Sequence, residues 1–469
     1  MHLFEVKTMA TQQKCAYSAY LPTFFDKFGG SYPPRSVFHD WPTCFQIYQD
    51  VCLEMPEKLY ALNSSEKFRE WMTEELSGVD LLKVGEAITS LINTDSIPVL
   101  TGYLACLSYL AHAYRWGTVP TTSLERERST LEFPDCLWDP FKKVNDYFGL
   151  PYRGNHFSLM ACNAIFDKNG SPVGMKFKWN FDPEIAYQES NFMLLMAKAE
   201  CEVPPILGAF GEYLDLLQTF TTADDRSDVE QQMIEKVYLA KGHLSALLRQ
   251  ANKIMHDSFI SREVFAPHIQ GMIAWGLSTD VGSSAAENLI FQALNVFCDM
   301  EGASEMSRFG MKTRKSIPDT SRVLLKKLEE STKGNLFPTE KLIQAKADLI
   351  TVFYAFILGH ARKVPDYIAK SPMTASRFLL KDLVSNFKRK MKERCDEVLF
   401  VRNKALGRSA DNAINGSGIE KTFAWSWSKA LFYCQKALVM RSNCRLPIWN
   451  YSHLLIIAFL CLLCPVIFL

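Results

Sequence analysis

The sequence lacks the short signatures through which many soluble enzymes declare their chemistry. It has no P-loop, no dinucleotide glycine fingerprint, no HExxH pair and no GxSxG elbow. Glycine-rich phosphate cradles are missing with them. Charge of one sign is also missing: 52 Lys and Arg against 51 Asp and Glu leave a formal net charge of +1. No global field steers such a chain toward nucleic acid or an acidic surface, so a nucleic-acid function is not expected. A cysteine framework is lacking too. The 13 cysteines are scattered singly, odd in number and without zinc spacing, which fits reduced thiols and a cytoplasmic setting. The CxxC of Cys461 and Cys464 sits in an apolar tail where no other ligands converge. The first fifteen residues show no apolar run followed by a small-residue cleavage site, so secretion is not expected.

What the sequence does have is apolar content, 48% over 469 residues, enough to bury a large core in two or three domains. Most segments read as helix. Residues 64–76, 228–255 and 340–360 place apolar side chains at three- and four-residue spacing, with Ser64 or Ser65 and Thr339 as caps. One stretch breaks that rhythm. In AIFDKNGSPVGMKFKWNFDP, 164–183, the turn pair Asn169-Gly170 precedes Phe177, Trp179 and Phe181 in alternation, which predicts a short strand or hairpin. It marks a boundary between an N-terminal domain, 1–180, and a larger helical domain, 181–400, followed by a C-terminal extension, 401–469. The loop at 278–292 offers Ser283 or Ser284 as N-cap, with Glu287 placed for a capping box with Ser284. The polar, basic segment 301–321 reads as a long functional or mobile loop. The tail HLLIIAFLCLLCPVIFL follows Lys429, Lys436, Arg441 and Arg445; with Ile448, Trp449 and Tyr451 it approaches the roughly 20 residues that span a bilayer. A membrane anchor and a segment packed on the protein are equal readings of it.

Chemistry must then rest on the nine histidines. His360 follows a stretch, 347–358, that is apolar nearly all round, and it shares a helical face with Phe353, Phe356, Ile357 and Val364. By spacing alone a hydrogen-bonded core histidine is the favoured reading. His112 and His256 are explained by packing, while His156 and His268 could line a pocket.

Six stretches taken together change those weights. LAHAYRWG (110–117), GLPYRGNHFSLMACN (149–163), IMHDSFISREVFAPHIQGMIAWG (254–276), GSSAAENLIFQALNVF (282–297), IPDTSRVLLKKLE (317–329) and GHARKVPDYI (359–368) follow one another in an order and spacing that resembles the haem-containing indoleamine 2,3-dioxygenase family. The resemblance covers about residue 30 to about residue 375. It implies an all-α fold, a large helical domain holding haem b beneath a smaller N-terminal domain with a short β-hairpin. It implies insertion of both atoms of O₂ into the indole ring of L-tryptophan or a related indole, a step of tryptophan catabolism, with a reductant for the iron and a monomeric protein. His360 falls at the proximal iron ligand, Ser190 at a distal serine, Phe265 at a pocket aromatic and Ser284 at the loop serine near haem and substrate. His156 stands where the family often has tyrosine. Tyr187 and Ala285 complete the implied pocket, and Ile357 lies against the haem.

Two departures stand out. Ile269, between His268 and Gln270, takes the place of the arginine that binds the substrate carboxylate in that family, a charge-assisted contact worth roughly 2–5 kcal/mol. Ile357 and Asn295 replace a second arginine and its acidic partner, so Arg314, Lys315 and Arg322 become the candidate anchors for the haem propionates. The departures favour a second possibility, a non-catalytic haem protein that binds O₂ on the same fold, or a dioxygenase with a substrate other than tryptophan.

Overall fold

Ser64 starts its helix as expected: its Oγ accepts from the Lys67 N–H at 3.4 Å and the helix runs Ser65–Glu75. Thr339 does the same for Glu340–Ala369, accepting from Leu342 N–H at 3.3 Å. The segment predicted over 228–255 is the helix Ser227–Ile254. In the computed structural model the described residues are 15–119, 131–222, 226–254, 259–273, 285–300, 302, 305–334, 336–369 and 377–407. They are mostly helical, with one two-stranded antiparallel hairpin. All of them belong to one compact unit, Met1–Gly407. The apolar tail lies outside the described residues.

The hairpin forms one step earlier than the alternation suggests. Ala164–Phe166 pairs with Pro172–Met175 around the Asn169-Gly170 turn, and Phe177, Trp179 and Phe181 lie beyond it in irregular chain. The reason is local. Backbone N–H groups that would make a ladder are taken by side chains: Phe177 N donates to Asn163 Oδ1 at 2.9 Å, and Trp179 N to Glu189 Oε1 at 3.0 Å. The polar segment 301–321 likewise holds more structure than a loop. Glu305–Thr313 is helical, a tight turn Arg314–Ser316 follows, and Asp319–Ser331 is helical again.

The central helix Ile97–Trp116 is buried on every side, with Pro98 in its first turn, where a missing N–H costs nothing. It ends at Gly117, whose φ of +67° suits glycine, and an added Cβ would fall 2.6 Å from the Ser65 backbone. The candidate ligand helix, Glu340–Ala369, lies against Ser227–Ile254 and Arg377–Ala405. Its part Glu340–Gly359 is long and apolar enough to cross a membrane by length and composition alone. The same property belongs to core helices, and Leu342, Leu349, Ile350 and Phe353 are buried here.

Candidate functional site

An apolar wall forms where two elements meet the ligand helix. Phe291, in the first turn of the helix Leu289–Phe297, packs its ring 4.6 Å from Phe356 and 5.9 Å from Phe353. Ile357, one residue on, is buried. From the other side comes a π-helical turn, Phe265–Gln270, which packs on both the ligand helix and the helix Pro183–Cys201. In it Phe265 meets Phe192 edge-on at 5.3 Å, and Ile269 is fully buried. Wide π turns of this kind recur where a helix is bent to present side chains to a site. The place that a carboxylate-binding arginine would occupy is thus an apolar contact.

Of the other predicted residues, Ser190 is half-buried on Pro183–Cys201, whereas Tyr187 on the same helix is 54% exposed and is not brought to the wall. Ala285 is half-buried and opens a tight turn, Ala285–Glu287. Ser284 and the side chain of His360 lie outside the described residues. So does His256, while His268 is half-buried beside Asn180.

Two of the candidate cations are committed to the protein. Arg322 donates to the carbonyls of Gly149 and Ile317, at 3.1 and 2.7 Å, and pairs with Asp319. Arg314 donates through Nε to Gln292 Oε1 at 2.9 Å, and Lys315 is exposed. Asn295 has a partner of its own: Arg394 donates to its Oδ1 at 2.5 Å and to the Met300 carbonyl at 2.8 Å. The neutral Asn295 therefore serves as an acceptor in a cage around a buried guanidinium.

His156 stands at the centre of a buried polar cluster. Its backbone N–H donates to Glu287 Oε2 at 2.8 Å, and its ring Nδ1 lies 2.9 Å from Glu200 Oε1. That is ion-pair distance but off the line of a hydrogen bond, and neither ring nitrogen has a hydrogen-bond partner among the described residues. Arg153 donates through Nη2 to Ser316 Oγ at 2.7 Å and stands 3.6 Å from Glu287 Oε1. Burial raises the Glu287 carboxyl to about 7, against the opposing pull of Arg153 and the His156 N–H. Glu287 is therefore not the capping-box residue expected of it. Asn288 caps the next helix instead, and the Glu287 carboxylate turns across to residue 156.

His112, by contrast, is a core histidine. Its Nδ1 lies 2.8 Å from the Met272 carbonyl, and burial lowers its imidazole to about 4, so it is neutral and donates. A Cβ on Gly154 would fall 2.2 Å from its Nε2, which explains the glycine two residues before His156.

No family model matches the chain, and no curated protein matches it. Among the described residues no group of three His, Cys, Asp or Glu side chains is placed to hold a metal ion. The buried partners Arg153, Glu200 and Asn288 escaped the sequence reading, and Glu287 was read there only as a local cap. Glu200 left little signal, because Lys198 two positions before it and Glu202 two after it read as an ordinary solvated stretch of helix.

Proposed function

We propose that this chain is a haem protein of the indoleamine 2,3-dioxygenase kind, with His360 as the iron ligand and an indole as the substrate. The observation that carries the reading is the wall made by Phe291, Phe353, Phe356 and Ile357, the last two of which stand within about one helical turn of His360 in sequence. A flat, largely apolar macrocycle needs such packing beside its ligand. The bound haem would supply O₂ activation; the protein's own part is to hold the indole and exclude water. Phe192 and Phe265 give the indole an aromatic edge, and half-buried Ser190 and Ala285 border it. The smaller N-terminal domain over a larger haem-binding one, and a cytoplasmic setting with or without a membrane anchor, belong to the same proposal.

A second reading is favoured by Ile269, whose full burial among apolar groups leaves no cation there for a carboxylate. On that reading the protein binds O₂ or another small ligand without oxidising tryptophan. Purified protein separates the two: a Soret band that disappears in His360→Ala is expected on both, and formylkynurenine from L-tryptophan only on the first. Full haem retention in His360→Ala would overturn the ligand assignment.

A further inference from the structure

The helix Leu289–Phe297 is apolar along its length apart from two amides, and one of them, Gln292, is 1% exposed. Burying an amide among apolar groups is unfavourable unless its hydrogen bonds are made, and Gln292 makes them with three neighbouring pieces of chain. Its Oε1 accepts from Arg314 Nε at 2.9 Å. Its Nε2 donates to the Ala286 carbonyl at 2.6 Å and to the Gly310 carbonyl at 2.9 Å. The amide can stand only one way round, because the guanidinium donates and the carbonyls accept.

The contact with the turn Ala285–Glu287 has the widest consequence. A single tight turn has little support of its own, and here Asn288 N–H donates to the Ala285 carbonyl at 3.1 Å. Its place is therefore set by residues outside it: His156 N–H holds the Glu287 carboxylate at 2.8 Å, and Gln292 holds the Ala286 carbonyl. Thr313 Oγ1 lies 3.3 Å from the same carbonyl, but it has one hydrogen and a nearer acceptor in the Gly310 carbonyl at 2.7 Å. The turn leads through Asn288 into the helix whose Phe291 packs on Phe356. Gln292 thus ties the wall's own helix to the turn before it.

We propose that Gln292 is a positioning residue for the indole: it touches no substrate atom, and through Ala286 it sets where Ala285 stands beside the wall. Through Gly310 it fastens the same turn to the helix Glu305–Thr313, which packs on Arg377–Ala405. A buried amide one helical turn beyond the pocket-lining turn then governs how firmly a flat ring is held, because a ring packed on a mobile edge loses contact whenever that edge shifts. This inference rests on the indole reading above.

Gln292→Met keeps the length and volume of the side chain and removes every hydrogen bond, and two measurements on the full-length protein read the result. Amide hydrogen exchange over residues 285–288 should quicken about tenfold or more, and calorimetric titration with indole should show affinity lowered about fivefold, with haem absorbance per protein unchanged. Tyr48→Phe is the control for stability alone. It removes a buried hydrogen bond of 2.5 Å to the Cys136 carbonyl, between the helices Thr43–Leu62 and Asp135–Phe148, and should move neither reading. Unchanged exchange over 285–288 in Gln292→Met, an indole affinity within about twofold of wild type, or an equal loss in Tyr48→Phe would overturn the assignment. If Gln292→Met does not fold, Thr313→Val decides: it should shift both readings the same way by about two- to threefold, and no shift in either overturns the assignment. Wild-type protein that takes up neither haem nor indole sinks the dioxygenase reading, and the exchange over 285–288 still decides whether Gln292 places the turn.

Discussion

The helix Pro183–Cys201 carries a buried glutamate near each end, and their surroundings differ in kind. Glu189 accepts from Trp179 N–H at 3.0 Å, Asn180 N–H at 3.1 Å and Asn180 Nδ2 at 2.7 Å. Burial raises its carboxyl to about 7 despite those donors. Glu200 meets the ring of His156, keeps one oxygen without a hydrogen-bond partner, and sits within a cluster rich in unpaired donors. Equal burial with unequal satisfaction separates two uses of a carboxylate. The first replaces a strand's missing ladder and fixes residues 179 and 180. The second leaves polar capacity over.

The largest effect should come from breaking the satisfied end. Glu189→Ala strands the N–H groups of Trp179 and Asn180 in the core, and a loss of about 3 kcal/mol or more in unfolding free energy is expected. Glu200→Gln keeps the shape and an acceptor toward His156, so a loss below about 1.5 kcal/mol is expected. Urea denaturation of the pair gives the contrast; equal losses would remove the distinction between the two ends.

The next effect is one of pH. Glu189 and Glu287 both sit at about 7 in the fold against an ordinary value of 4.5. Folded protein therefore holds protons that the unfolded chain has released across that window. Their contribution is fully present below 4.5 and is lost as pH rises through about 7, on the order of 3 kcal/mol for each carboxyl. His112 works in the opposite sense, since its imidazole, lowered to about 4 from 6.5, withdraws stability as the pH falls between those values. Thermal melts of wild type should thus decline from about pH 5 to about pH 7 and level off above it, and Glu287→Gln should show a shallower decline. An identical slope in that variant would mean that Glu287 is ionised throughout.

Much of the fold was legible because it follows from local rules. Ser64 and Thr339 capped the helices assigned to them, and the Asn169-Gly170 turn formed a hairpin. The strand was misplaced because alternation of Phe177 and Trp179 reports burial on one side, whatever satisfies the backbone, and here Asn163 and Glu189 satisfy it. The site was less legible. Spacing can gather Phe353, Phe356 and Ile357 on one face, but the meeting of His156 with Glu200 and of Arg153 with Glu287 depends on contacts spanning 44 and 134 positions. Glu287 was read as a local cap because nothing in its neighbourhood in sequence points to residue 156. Tyr187 shows the reverse error: its helix is the right one, but its side chain faces outward.

The smallest expected effect sharpens the comparison most. Tyr32 is held by rings, 5.1 Å from Phe28 and 6.5 Å from Phe157, and Glu200 and Ser321 lie beside its hydroxyl. Burial, and after it the Glu200 charge, raise that hydroxyl well above its ordinary value, so it stays protonated and can only steady the carboxylate. Tyr32→Phe keeps every ring contact and should cost about 0.5–1.5 kcal/mol in stability. If Glu200 is a structural tie like Glu189, the whole of that loss should appear. If Glu200 is instead held loosely, with one oxygen left without a partner, urea denaturation should show a loss below about 0.5 kcal/mol. A loss of about 1.5 kcal/mol would place Glu200 with Glu189 after all.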